Sequence, residues 1–183
     1  MKKYLVIYKP FLLFLAKFFV SYLVLICIYQ WYLNQFDASQ NEVDGFTQMV
    51  AQQSESILRF MNYNVSIKPH LFEPSIRVYI DQKAIVRVVE GCNALSVMIL
   101  FVSFIIAFTG RFWQMLLFII SGLLLIHVLN VLRIALLVVG LLEYKEYEML
   151  LHDIFFPLVI YGVVFGLWVI WVNKFSNHAK NIN

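Results

Sequence analysis

The chain has 183 residues, 62% of them hydrophobic, 17% aromatic and 14% charged, with a formal charge of +3 and a pI near 8.8. Globular proteins are about half apolar and about a quarter charged, and a soluble domain of this length buries only about 70% of its unfolded surface. That composition argues against a soluble enzyme, and more firmly against a disordered chain or a small disulfide scaffold.

An apolar run of about 18 residues or more predicts a membrane-spanning helix, and four runs qualify. The first covers residues 11–33 and contains Lys17, whose long stem can snorkel to an interface. Leu33-Asn34-Gln35-Phe36 makes a poor cleavage site, so this run reads as a retained anchor. The second covers residues 92–109. Gly110-Arg111 alone separates it from the third, which predicts a tight helical hairpin. The third begins at Phe112 and stays mostly apolar to Leu142, with Ser121, His127, Asn130 and Arg133 among its polar residues. As one helix it is about 46 Å long against roughly 30 Å of hydrocarbon, so it crosses and then protrudes, or bends near Asn130, with its last turns packed on protein. The fourth covers residues 153–172.

Lys2, Lys3, Lys9, Lys17, Arg111, Lys174 and Lys180 fall on one side of these spans, and all eleven acidic residues fall on the other. The basic, acid-free side should be cytoplasmic, with both termini inside. Between the first two spans, Asp44 is placed to N-cap a helix with Phe46, Met49, Val50, Ile57, Phe60 and Met61 as its apolar face. Residues 65–67, 75–80 and 84–89 read as strands, the last two joined by a turn at Asp81-Gln82-Lys83. The expected fold is a mainly α polytopic membrane protein of about four spans with a small α+β segment (a helix plus a β-hairpin). Its units are residues 1–33 (tail and first span), 34–91 (extracytoplasmic segment), 92–173 (catalytic helical core) and 174–183 (cytoplasmic tail).

Polar residues inside or at the rim of a membrane are the functional candidates. Measured from the cytoplasmic end of its helix, Cys92 lies about 27 Å up, and Arg133 and His152 each about 33 Å. Three helices thus bring a thiol, a guanidinium and an imidazole to one outer layer. Cys92, in Glu90-Gly91-Cys92-Asn93-Ala94, is read as opening a helix, where free N–H groups favour an anion. Gly91 leaves room for a substrate backbone, and Asn93 is a candidate for backbone or oxyanion contacts. A disulfide with Cys27 is not expected, because Cys27 lies among aliphatics within the first span. His152 begins the last span beside Asp153, which either tunes it or caps the helix. His127 lies lower and suits a helix-packing hydrogen bond. Asn130 and Arg133 share a helix face. Arg133 either binds a substrate oxyanion or pairs with Glu90 or Asp153. Trp113, Trp168 and Trp171 read as interface anchors and core packing.

A cysteine after a strand at the mouth of a span, then Asn130-Val131-Leu132-Arg133-Ile134, then His152 at the outer end of the last span, resembles the exosortase/archaeosortase family. The short chain and the run Leu151-His152-Asp153-Ile154-Phe155-Phe156-Pro157 are most similar to its compact exosortase F type, over about residues 88–172. The resemblance implies a membrane cysteine transpeptidase or protease. Its substrates would be exported proteins ending in a short motif, a hydrophobic helix and a basic tail, transferred to a surface glycan or lipid acceptor or to water. It makes Cys92 the nucleophile, Arg133 the oxyanion or substrate-positioning cation and His152 the general acid/base; the residues around them offer Asn93, Asn130, Glu90 and Asp153 as supporting groups. The outer hairpin would offer an edge to an extended cleavage motif, and the spans would dock the apolar tail. No cofactor, metal or nucleic acid is expected. Many members carry Ser-Gly where this chain has Asn93-Ala94, and many have more spans. The rival reading is a non-catalytic membrane assembly or export subunit whose polar layer merely locks helices. A transporter would place its polar residues nearer mid-membrane.

Overall fold

The computed structural model describes residues 8–175 apart from Thr109. Lys2, Lys3 and Lys180 of the basic side, and the tail beyond Phe175, lie outside the described residues.

Helix α1 (Lys9–Leu33) carries Pro10 in its first turn, where a missing N–H is harmless, and it exposes aliphatic and aromatic side chains along most of its length. Helix α2 (Gly45–Phe60) starts where expected: the Asp44 carboxylate accepts hydrogen bonds from the N–H groups of Phe46 (3.1 Å) and Thr47 (2.9 Å). Strands β1 (Val65–Pro69), β2 (Ser75–Ile80) and β3 (Lys83–Val89) form an antiparallel sheet in the order β1-β2-β3. The loop joining β2 and β3 is two residues long. Asp81 and Gln82 both have positive φ (46° and 67°), the backbone that matches the twist of a tight hairpin. Glu90–Cys92 makes one 3₁₀ turn before helix α3 (Leu95–Ala107). Helix α4 (Phe112–Glu143) is continuous over 32 residues, and helix α5 (Phe156–Ile170) is flanked by π-helical turns Leu150–Phe155 and Trp171–Phe175.

Among the described residues, three helices are long and apolar enough to cross a membrane, Lys9–Leu33, Phe112–Glu143 and Leu150–Phe175. The expected second span is shorter than its apolar run. Ala94 adopts a left-handed conformation (φ 64°), which starts α3 only at Leu95 and leaves it 13 residues. At helical rise that is about 20 Å, below the roughly 30 Å of a bilayer core. It lies against α1 and the first half of α4. There Gly122 leaves the space into which Phe101 fits: a Cβ on Gly122 would stand 2.3 Å from the Phe101 ring.

The long helix behaves as its length demands. Its first half exposes Phe112, Trp113, Leu117 and Leu124, whereas Val131, Ile134, Ala135 and Val138 of its second half share a core with α2 and the sheet. Of the expected face of α2, Val50 is buried and Phe46 and Ile57 pack against the core, but the fully buried stripe differs. It is Thr47, Val50, Ala51, Ser54 and Leu58, while Phe60 is 88% exposed and Met49 and Met61 also face outward. Small residues win this face because they let α2 approach α4 closely: the Ser54 hydroxyl lies 3.5 Å from the Val131 carbonyl oxygen. In β2, buried Ile76, Val78 and Ile80 alternate with Arg77 and Tyr79, so one face of the sheet meets the helices.

At the other end of the bundle, the Trp171 indole N–H donates to the Phe108 carbonyl (2.8 Å), and the ring packs where a Cβ on Gly110 would stand. Trp171 is fully buried, so it closes the α3–α4 turn instead of anchoring at an interface.

Candidate active site

The turn that carries Cys92 is tied to three helices. The Tyr29 hydroxyl of α1 donates to the Glu90 carboxylate. The Asn93 side chain donates to Thr47 Oγ1 of α2 (3.0 Å) and accepts from the Leu95 N–H (2.9 Å). Asn130 of α4 donates to the Cys92 carbonyl (2.8 Å). Asn93 and Asn130 are both buried, so these bonds form out of contact with water, where a lost partner leaves a desolvated polar atom.

Three expectations change as a result. Cys92 closes a 3₁₀ turn three residues ahead of α3 and does not sit in that helix's first turn. Of its two expected uses, the buried Asn93 amide makes the backbone contact, accepting from Leu95 N–H, and its N–H group is turned inward to Thr47 instead of toward an oxyanion. Glu90 faces Tyr29, and Arg133 pairs with neither Glu90 nor Asp153.

Cys92, Arg133 and His152 all line one cleft of about 900 Å³, within the size range of ligand sites. Its floor is one face of α4, formed by Arg133, Ile134, Leu137 and Leu141. One wall is residues 84–89 of β3, and the other is the segment from Lys145 to Asp153. Cys92 stands at the end of the β3 wall, and both cysteines are free thiols. Arg133 lies one turn beyond Asn130 on the same helix face, so the helix that holds the Cys92 backbone also carries the guanidinium. Arg133 Nε is buried with no hydrogen-bond partner, as is Asn130 Oδ1.

His152 belongs to the π-helical turn, a rare geometry that re-aims side chains and recurs at functional sites. Its Nδ1–H donates to Asp153 Oδ1 (2.6 Å). That bond leaves Nε2 as the free ring nitrogen. The pair is largely open to water, with side chains 45% and 61% exposed, so Asp153 orients the ring more than it stabilises the fold. Asp153 does not cap a helix here. His127, the lower histidine, donates from Nε2 to Gln53 Oε1 of α2 (2.7 Å) and is not in the cleft; its use is helix packing.

Arg77, Arg87, Lys145, Glu146 and Glu148 also line the cleft and were not among the expected site residues. The available signal was the alternation of β2 and β3, which turns Arg77 and Arg87 to the solvated face. They are direct cross-strand partners, and Arg87 is also ion-paired with Glu73. Like charges placed opposite one another are unfavourable, so the wall is more cationic than the sheet alone would favour. Among the described residues, no three His, Cys, Asp or Glu side chains gather to hold a metal ion.

Searches of curated proteins and of solved structures return no match. Residues 5–171 match the family described as transmembrane exosortase, of the EpsH kind. That match runs from the first helix, through the cysteine turn and the arginine-bearing helix, to the buried tryptophan of the last. The chain therefore belongs to the transmembrane exosortase family.

Proposed function

We propose that this protein is a membrane-embedded cysteine transpeptidase or protease of the compact exosortase F type. In this reading it cuts C-terminal sorting signals of exported proteins at the outer face of the bacterial plasma membrane. The observation that carries the reading is the convergence of Cys92, Arg133 and His152, from three separate elements, on one cleft. The subtype rests on the short chain and the run from Leu151 to Pro157, and the orientation on the segregation of lysine and arginine.

The chemistry follows from the groups present. The Cys92 thiol gives its proton to His152 Nε2, and the thiolate attacks the scissile carbonyl carbon. The developing oxyanion is taken by the Arg133 guanidinium, which lines the same cleft. The imidazolium, held by Asp153, protonates the departing amine as the C–N bond breaks, leaving a thioester on Cys92. His152 then takes a proton from an acceptor amine or from water, which attacks the thioester and frees the thiol.

The rival reading, a structural polar layer in an assembly subunit, meets a specific objection. A locking layer does exist, but its members are Tyr29, Glu90, Thr47, Asn93 and Asn130. The Cys92 thiol, Arg133 and His152 form none of its bonds. Cys92→Ala is expected to leave precursor uncut at normal enzyme abundance, a loss of at least about a thousandfold. A comparison of precursor and product by immunoblot checks it, and unchanged processing would remove the assignment.

A further inference from the structure

The wall formed by β3 has an unusual composition. A strand that shows a face to a cavity contributes every second residue, because side chains alternate. Here six consecutive residues, 84–89, line the cleft. That pattern belongs to a strand edge, and β3 is an edge strand, paired with β2 on one side only. An unpaired edge presents a row of open N–H and C=O groups, which proteins normally cover or blunt. This one opens along the cleft and ends three residues before Cys92.

We infer that β3 is the docking strand for the cleavage segment, which adds to the sheet as a fourth strand running parallel to β3. This rests on the proposed function. The direction follows from the path of the two chains. β3 runs from Lys83 toward Cys92 and on into α3, that is, toward the apolar bundle. A substrate whose apolar helix lies C-terminal to its cleavage site must also run toward the bundle as it passes Cys92. Two chains that head for the same end pair in parallel, and a parallel edge on an antiparallel sheet is a common arrangement. Backbone pairing supplies affinity without demanding particular side chains. Six residues of β3 at strand rise give about 20 Å of track. The residues N-terminal to the cleavage site would lie along it, with the scissile carbonyl delivered to the thiol.

The test uses full-length Cys92→Ala enzyme co-produced with a precursor of the same cell that ends in an apolar helix and a basic tail. A photocrosslinking residue is placed in turn at Ala84, Arg87 and Val89, none of them core positions. Mass spectrometry then locates the partner residue on the precursor. Parallel docking places cross-links from 84 farthest from the cleavage site, from 87 nearer and from 89 nearest, with the precursor stepping about one residue per residue of β3. In the same complex, amide hydrogen exchange over residues 84–89 is expected to slow at least about tenfold. The reverse order of cross-links, or none at these positions with no added protection while wild-type enzyme cuts the precursor, overturns the docking and leaves the proposed function standing. Failure of wild-type enzyme to cut any such precursor overturns both.

Discussion

Cys92 has two sides. Its backbone belongs to a turn held by Tyr29, Thr47 and Asn130 from three helices, and the bracing asparagines are buried. Its other side lines a cleft shared with Arg133 and with His152, which is half exposed. The turn is thus rigid where position matters, and the residues across the cleft from it are open to a ligand. A catalytic constellation needs that division, since a nucleophile on a loose turn loses the orientation that supplies much of its rate. The difference also gives a rule for mutations: changes on the braced side should lower abundance, and changes on the open side should lower processing alone.

Arg133→Lys probes the open side most sharply. A lysine keeps the charge but loses the planar fork, so processing should fall by at least about a hundredfold with abundance unchanged. If abundance falls in step with processing, as judged from membrane-fraction immunoblots, the arginine holds the fold and the division fails. On the braced side, Asn130→Leu removes the donor to the Cys92 carbonyl. It should cost about 1–3 kcal/mol, seen as a lower melting temperature in detergent. Ala94→Gly should act in the opposite sense. A left-handed alanine is strained and glycine is not, so stability should rise by about 1 kcal/mol, read from the same thermal melts. Asp153→Asn should have the smallest effect. Its bond to His152 is exposed and worth roughly 1 kcal/mol or less, so processing should drop by less than about tenfold with no change in melting.

Much of this was legible from residue pattern. The Asp44 cap, the Asp81 turn and the over-long α4 follow from local chemistry and from length. The shared cleft of Cys92, Arg133 and His152 was anticipated by counting helical rise, although Cys92 stands outside α3, so the count that placed it assumed helix that is not there. What escaped depends on neighbours. The delayed start of α3 turns on one left-handed residue, Ala94, whose side chain predicts no such thing. The buried face of α2 is chosen by how close α4 comes, which favours Thr47 and Ser54 over the larger Met49 and Phe60. Asn93 looked chemically useful because an amide suits an oxyanion, and only the nearby Thr47 hydroxyl shows where it is spent. The cleft wall on β3 needed the strand order, since hydrophobic alternation does not say which strand lies at an edge.

The tryptophan lock at the far end fixes the height of the last helix. Trp171 is fastened to Phe108 and pressed against Gly110, and Phe156, Ile160 and Val164 are buried along the length of α5. The π turn that carries His152 stands at the opposite end of that pinned rod. The level of the imidazole beside the β3 wall is therefore set by packing about twenty residues away, so a change at Trp171 or Gly110 would be felt at the cleft.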